Sequence, residues 1–244
     1  MARTAIQLYT LRDADAPLAD LLREIADAGY DGVEFAEPVP DDERDAVREA
    51  LDRTGLDVVG SHVGIDLVES DPGSLADTLG TFGCDRVVVP WLDPEHFATQ
   101  PATYRAAVRL SEASAALAEH GLDLLYHNHT QEFADVGATS AYGLLVPATV
   151  GVGYELDLGW AAAGGYDPAA ILRRFGPHVP LVHAADVDGA GASAELGAGV
   201  VDLPACVEAA LDAGCEWFVY EHDEPDDPLE SMRHGSEELD RLLA

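Results

Sequence analysis

The stretch Gly121-Leu-Asp-Leu-Leu-Tyr-His127-Asn-His129 shows a pattern that recurs along the chain. A glycine follows an amphipathic helical stretch, an acidic residue comes two positions later, and a short apolar run follows. Glycine just past a helix adopts the left-handed cap without a Cβ penalty. A short run rich in Val and Leu is typical of a strand buried on both faces. The same pattern begins at Gly29, Gly55 and Gly214, and Gly83 begins it without a clear amphipathic helical stretch before it.

Repeated helix–glycine–strand units at intervals of roughly 25–35 residues predict an α/β fold, a single (βα)8 TIM barrel spanning residues 1–244 as one domain. The predicted strands lie near 4–9, 30–36, 56–62, 85–91, 122–129, 151–158, 179–186 and 216–222. The predicted helices lie near 17–28, 42–54, 72–80, 101–120, 139–146, 168–175, 203–213 and 228–243. An open doubly wound sheet is the alternative, but no glycine-rich phosphate loop follows the first strand.

The charge balance of the chain is strongly acidic. The sequence has 46 acidic and 13 basic residues, a net charge of −33, and all its basic residues are arginines. Nucleic acids and anionic membranes are bound through basic contacts, so neither is an expected partner. Carboxylates keep a surface hydrated at high salt, and we therefore expect a halophilic protein.

Cysteine usage and hydropathy indicate the compartment. Cys84, Cys206 and Cys215 form no CxxC pair, which supports neither a disulfide framework nor a thiolate zinc site. The start of the chain lacks the apolar core of a signal peptide, and no run approaches the roughly 18 apolar residues of a membrane span. We expect a soluble cytoplasmic protein, for which a homo-oligomer remains an open alternative.

Four predicted strands in the second half end in side chains that bind metals or transfer protons. Parallel strands of a barrel bring their C-terminal ends to one mouth, where such side chains build a site. The mixture of imidazole and carboxylate suits one divalent ion, Mn, Co, Mg or Zn. The segments are His127-Asn-His129 with Glu132 beyond it, Glu155-Leu-Asp157, His183-Ala-Ala-Asp186 and Glu221-His222.

The first four predicted strands end in polar or aromatic side chains. Polar groups at the barrel mouth are suited to a polyhydroxylated substrate, and an aromatic ring can cover an apolar ring face. The expected substrate contacts in this half are Gln7, Glu34, His62 and Trp91.

These motifs resemble those of the xylose isomerase-like TIM barrels, in particular the sugar phosphate isomerase/epimerase group. That group includes ketose 3-epimerases, hydroxypyruvate isomerases and inosose dehydratases, and endonuclease IV is a distant relative. The resemblance runs from Ile6-Gln-Leu-Tyr to the terminal helix. It is strongest in Tyr126-His-Asn-His, Glu155-Leu-Asp-Leu-Gly-Trp160 and Tyr220-Glu-His-Asp.

The resemblance implies a metal held by Glu, Asp, His and Glu from the last four strands. Asp157, His183 and Glu221 match the last three. At the first position this chain has His127, and the branch with Tyr-His-Asn-His carries a glutamate a few residues on, here Glu132. Either His127 or Glu132 is the fourth ligand. We expect Glu132, because it restores the three carboxylates of the family's metal site. His127 and Asp186 are then expected to contact the substrate.

The resemblance also implies proton abstraction next to a carbonyl through an enediolate, with Glu132 and Glu221 as base candidates and His129 as a proton carrier. Ala185 stands where many relatives have lysine, which favours an unphosphorylated ketose, keto-sugar or cyclitol as the small-molecule substrate. Isomerisation, epimerisation and dehydration share this intermediate. An endonuclease IV-like phosphodiesterase and a non-catalytic sugar-binding barrel are the remaining alternatives.

Overall fold

The computed structural model describes residues 2–244, and its centre is a closed barrel of eight parallel strands. The order around the barrel is β1-β10-β7-β6-β5-β4-β3-β2, with β8 and β9 forming a separate antiparallel ribbon. The barrel strands are β1 (Arg3–Gln7), β2 (Gly32–Phe35), β3 (Asp57–His62), β4 (Arg86–Val89), β5 (Asp123–His127), β6 (Val152–Asp157), β7 (Leu181–Ala184) and β10 (Trp217–Tyr220). The ribbon strands are β8 (Asp186–Val187) and β9 (Ser193–Ala194).

Helices surround this barrel and connect its strands. They are α1 (Leu18–Asp27), α2 (Arg44–Thr54), α3 (Ile65–Ser70), α4 (Pro72–Gly80), α5 (Gln100–Ala118), α6 (Ala141–Ala148), α7 (Leu158–Ala163), α8 (Pro168–Phe175), α9 (Leu203–Ala213) and α10 (Pro228–Leu243). Gly55 and Gly214 follow α2 and α9 with φ of 75° and 83°, the left-handed cap that the repeated pattern predicts. In the part of the chain that the structure describes, no helix is both long and apolar enough to span a bilayer.

The predicted barrel is confirmed, and the differences from prediction lie at the strand ends and in the loops. The predicted first strand ends at Gln7, because Leu8–Leu11 turns into a 3-10 helix. The predicted seventh strand ends at Ala184, because Asp186–Val187 leaves the barrel to pair with Ser193–Ala194. Helices α3 and α7 were not predicted, since each has only six residues and too few turns for a hydrophobic period to be visible.

The hydrophobic core has two parts. The larger lies between the barrel and the surrounding helices, and a smaller cluster fills the barrel with seven buried side chains. The smaller cluster consists of Ala5, Val59, Val88, Leu125, Leu181, Trp217 and Val219. Beyond this apolar plug, the inward-facing positions at the C-terminal strand ends are polar and lie at one mouth of the barrel.

Candidate metal centre and active site

Strand alternation aims two residues of β6 and one residue of each neighbouring strand into the barrel. His127 pairs in register with Glu155, and Asp157 pairs with His183. Glu221 follows β10 directly, so its side chain reaches the same level as His183. All five residues are buried.

Four of these side chains could hold one metal ion. The potential donor atoms of His127, Asp157, His183 and Glu221 all lie within 4.8 Å of one another. His183 Nδ1 is 2.7 Å from a Glu221 carboxylate oxygen and 4.0 Å from Asp157 Oδ2. Three of these residues belong to β5, β6 and β7, and Glu221 directly follows β10.

Local hydrogen bonds fix the position of Asp157. Its Oδ1 accepts the backbone N–H of Trp160 at 2.5 Å and thereby caps α7. The Asn128 side chain accepts the Asp157 N–H at 3.1 Å and donates to its carbonyl at 3.3 Å. Asp157 Oδ2 is left buried with no hydrogen-bond partner among residues 2–244. Asp157 Oδ1 therefore caps α7, and Oδ2 faces the cluster.

A second group shares two residues with the first. His62, His127, Glu155 and His183 also bring potential donor atoms within 4.8 Å of one another. Glu155 Oε2 lies 3.0 Å from His183 Nε2 and 3.3 Å from both His62 Nε2 and His127 Nδ1. His183 thus stands between the two groups and presents a different ring nitrogen to each.

In this cluster, the pKa shift caused by burial is opposed by the pairing of carboxylates with imidazoles. Burial lowers the pKa of His183, but Glu155 and Glu221 outweigh it and raise the pKa well above its usual value. Burial likewise lowers the pKa of His62, but Glu34 and Glu155 raise it to about 10. For Glu221, burial raises the pKa, but His183 lowers it to about 2. In these pairs, the negative charge of each carboxylate therefore stabilises the positive charge of its imidazole partner, and the imidazole stabilises the carboxylate in turn.

The donor set fits a divalent cation. Burial raises the pKa of Asp157 well above its usual value, and Glu221 raises it further, so this carboxyl lacks sufficient positive charge nearby. A buried carboxylate oxygen without a partner is costly, and a bound cation would offset that cost. Two imidazoles with two carboxylates suit Zn, Mn or Co better than a purely oxygen-seeking ion. A metal ion in this group would be held by His127, Asp157, His183 and Glu221.

A cavity of about 250 Å³ adjoins the cluster at the barrel mouth. Its nine lining residues are Tyr9, Ala36, His62, Pro90, Trp91, His127, His129, Glu221 and Asp223. A larger cavity of about 440 Å³ lies at the opposite end of the barrel, beside the Arg86–Glu216 ion pair. We assign the chemistry to the smaller one, because TIM-barrel sites form at the C-terminal strand ends and the candidate donors are there.

Aromatic side chains form one wall of this mouth. The His129 ring lies 4.7 Å from the Trp91 ring, edge to face, and 5.8 Å from the Trp160 ring, nearly parallel to it. Burial and, to a smaller extent, His127 lower the pKa of His129 to about 3. His129 is therefore neutral at pH 7, and its Nδ1 has no hydrogen-bond partner in the described chain.

The structure does not bring Glu132 to the metal group, contrary to its prediction as a ligand. One carboxylate oxygen accepts the Tyr126 hydroxyl and the other accepts the His129 backbone N–H at 2.9 Å. Burial raises its pKa to about 7. Of the two alternatives for the fourth ligand, the geometry favours His127, because both Glu132 oxygens are occupied in holding the loop after β5.

Asp186 was predicted to contact substrate, and the structure surrounds its carboxylate with backbone donors. Its two oxygens accept four backbone N–H groups at 2.9–3.1 Å. The donors are Val187, Gly197, Gly199 and Val201. This carboxylate organises the loop between β7 and α9 and is absent from the lining of the mouth cavity.

The predicted residues His62, Trp91, His129 and Glu221 line the cavity, as does His127. Sequence reasoning placed Glu155 at a strand end without a specific role and gave no role to Asp223, whereas the structure places Glu155 in the cluster and Asp223 in the cavity lining. The signal for Glu155 was present, because it shares a strand face with Asp157. Asp223 follows the last strand in a loop, where no periodicity indicates direction.

Comparison with known proteins identifies the family. The family described as xylose isomerase-like TIM barrel matches residues 22–242, and this chain therefore belongs to it. Rhizopine catabolism protein MocC of Rhizobium meliloti is 26% identical over 271 residues, covering 94% of this chain and 83% of the relative. Inosose dehydratase of Geobacillus kaustophilus is 27% identical over 193 residues, covering 68% of this chain and 61% of the relative.

A solved structure shares the whole fold. A sugar phosphate isomerase/epimerase from Parabacteroides distasonis superposes with a TM-score of 0.80 at 20% identity, covering 98% of this chain and 94% of that chain. At this identity the likeness concerns the barrel. The family thus contains isomerase/epimerase and dehydratase proteins on one scaffold.

Proposed function

We propose that this protein is a metal-dependent isomerase or epimerase that acts on an unphosphorylated ketose, keto-sugar or cyclitol through an enediolate. The observation that carries the proposal is the convergence of His127, Asp157, His183 and Glu221 within 4.8 Å, beside a mouth cavity. A divalent cation bound there would polarise a substrate carbonyl and stabilise negative charge as it develops.

Two residues of the cavity wall are placed to act on a bound substrate. Glu221 lines the cavity and borders the metal group, so its carboxylate can accept a proton from the carbon next to a carbonyl. His129 is neutral at pH 7 and lies against Trp91, so it can hydrogen-bond a substrate hydroxyl. Trp91 and Tyr9, both partly exposed, can cover the apolar face of a ring.

The charges of the cavity support an unphosphorylated substrate. Two carboxylates, Glu221 and Asp223, line it, and none of the nine lining residues is an arginine. The positive charge of His62 is already paired with Glu34 and Glu155, at 3.4 and 3.3 Å. Among the nine lining residues, a phosphate group would meet two acidic side chains and no arginine.

Deuterium uptake tests the proposal. With Mn²⁺ or Co²⁺ in deuterated water, we expect the protein to exchange a carbon-bound proton of one or more ketoses or inososes, and to hold about one ion per chain. Asp157→Ala should lose both the metal and the exchange, whereas Asp123→Asn, an exposed site at the other barrel end, should keep both. Full metal occupancy in Asp157→Ala would overturn the ligand assignment, and absence of exchange with every substrate would overturn the reaction.

Dehydration is the second candidate, and Asp223 favours it. Burial and, to a smaller extent, Glu221 raise the pKa of this cavity-lining carboxyl to about 7, so a proton is available for a departing hydroxyl. The likeness to inosose dehydratase points the same way. Loss of water from an inosose, followed by the appearance of an enone or dione product, would distinguish dehydration from epimerisation.

A further inference from the structure

Glu34 contacts the side of His183 that faces away from Asp157 and Glu221. His183 Nε2 lies 2.8 Å from Glu34 Oε2, while Nδ1 lies 2.7 Å from Glu221. Glu34 is fully buried and does not line the mouth cavity. Glu34 was predicted to contact substrate, and the structure places its carboxylate against His183, a candidate metal ligand.

Glu34 is itself held in place by the neighbouring strands. Gln7 donates from Nε2 to Glu34 Oε2 at 2.7 Å, and its own Oε1 accepts the Tyr9 N–H at 3.0 Å. Gln7 was predicted to contact substrate. The structure shows it fully buried, hydrogen-bonded to Glu34 and outside the lining of the mouth cavity.

The backbone beside Glu34 is shaped to admit its carboxylate. The register between β2 and β3 shifts at Val33/Glu34, where Glu34 pairs with Gly60. A Cβ at Gly60 would lie 2.7 Å from Glu34 Oε1, so only glycine leaves room for the carboxylate. Bulges of this kind re-aim a side chain.

A histidine binds a metal through one ring nitrogen while the other carries a proton, and the partner of that proton fixes the tautomer and the ring orientation. Glu155 Oε2 also lies near His183 Nε2, at 3.0 Å, and is shared with His62 and His127, while Glu34 Oε2 is shared with Gln7 at 2.7 Å and with His62 at 3.4 Å. Glu34 is the closer acceptor and has its own support from Gln7.

We propose that Glu34 is a positioning residue for the metal site: it accepts the Nε2 proton of His183 and thereby keeps the Nδ1 lone pair directed at the cation. This inference rests on the proposed metal centre and deepens it. Gln7 and Gly60 support this role. Gln7 hydrogen-bonds the Glu34 carboxylate, and Gly60 leaves space for it.

The test is Zn²⁺ affinity, measured by competition with a chelator. Glu34→Gln should weaken zinc binding by about 10- to 100-fold, the range for lost outer-shell partners of a ligand histidine. Glu132→Gln is the matched control, since Glu132 is equally buried but hydrogen-bonds to Tyr126 and His129. Gly60→Ala retains every charge but displaces the Glu34 carboxylate, so it should also weaken zinc binding. This variant replaces Glu34→Gln in the test if Glu34→Gln does not fold.

A spectroscopic measurement separates positioning from general support of the fold. In the zinc-loaded protein labelled with ¹⁵N-histidine, the Nε2–H proton of His183 should be slow to exchange and shifted downfield by its carboxylate acceptor. Glu34→Gln should lose both properties, and Glu132→Gln should keep them.

The outcomes distinguish this inference from the proposed function. Tight zinc binding that Glu34→Gln weakens no more than Glu132→Gln does, with the His183 signal unchanged, would overturn the inference alone. Weakened binding in a protein that exchanges no substrate proton would leave the inference standing and overturn the reaction. A wild-type protein that binds no divalent ion would overturn both.

Discussion

His183 joins the two halves of the candidate site through its two ring nitrogens. Nδ1 lies towards Glu221 and Asp157, and Nε2 lies towards Glu34 and Glu155. One imidazole therefore connects the ends of the last barrel strands with β2. Removing any one of these carboxylates changes the electrostatic environment of the whole cluster, because an unpaired buried charge is expensive.

At the residue scale, we predict that His127, rather than Glu132, supports metal binding. His127→Ala should lower metal affinity by about tenfold or more, since the loss of an outer-shell partner alone has effects of that size. Glu132→Gln should leave metal content near the wild-type level, because both Glu132 oxygens are bound to Tyr126 and His129. Elemental analysis and isothermal titration check both variants. Metal loss in Glu132→Gln with full retention in His127→Ala would reverse the assignment.

At the scale of elements, the loop between β7 and α9 is organised by one carboxylate. Asp186 is 1% exposed and accepts four backbone N–H groups from positions 187, 197, 199 and 201. Buried N–H groups that lose their acceptor are costly. The loop also supplies Ser193, whose hydroxyl accepts the Asp223 N–H at 3.2 Å, so its order affects a residue of the cavity wall.

We predict that Asp186→Ala loosens this loop and leaves the barrel formed. Amide hydrogen exchange over residues 187–201 should accelerate, and the free energy of unfolding should fall by about 1–3 kcal/mol, the desolvation cost of unsatisfied buried groups. Asp188→Ala is the control, because Asp188 accepts the N–H groups of Ala190 and Ala192 in the same loop but is exposed to solvent. Equal exchange rates in the two variants would contradict the anchoring role.

At the scale of the whole molecule, the net charge of −33 sets the conditions for stability. Thirteen arginines cannot neutralise 46 acidic residues, and most of the arginine ion pairs lie at the surface, where such pairs contribute little. Arg109 is among the better placed, since it joins Glu69 at 2.6 Å and Asp66 at 2.5 Å and so links α5 to α3. Self-repulsion among the unpaired carboxylates opposes the compact state.

We predict that the melting temperature rises between about 0.1 M and 2 M KCl, as the Debye length falls from about 10 Å to below about 3 Å. Differential scanning calorimetry measures the change. Sucrose at matched osmolality is the control, because it stabilises by exclusion without screening charge. A melting temperature that is unchanged or lower in KCl would argue against a halophilic protein.

The sequence by itself determined the barrel and most of the polar mouth. Glycine after helices such as α2 and α9 and short apolar runs are local signals, and they act through backbone conformation and burial. Because strand side chains alternate and parallel strands end together, the sequence also predicted that Asp157, His183 and Glu221 converge.

Tertiary structure alone decided how the remaining groups are used. Nothing in the neighbourhood of Glu34 along the chain indicates that it accepts a hydrogen bond from a histidine 149 positions away. The same holds for Asp186, whose acceptor capacity is filled by a loop that folds back over it, and for Glu132, which turns to Tyr126. The physical reason is that a carboxylate binds whichever donors the fold brings within about 3 Å, and that set depends on strand register and loop path.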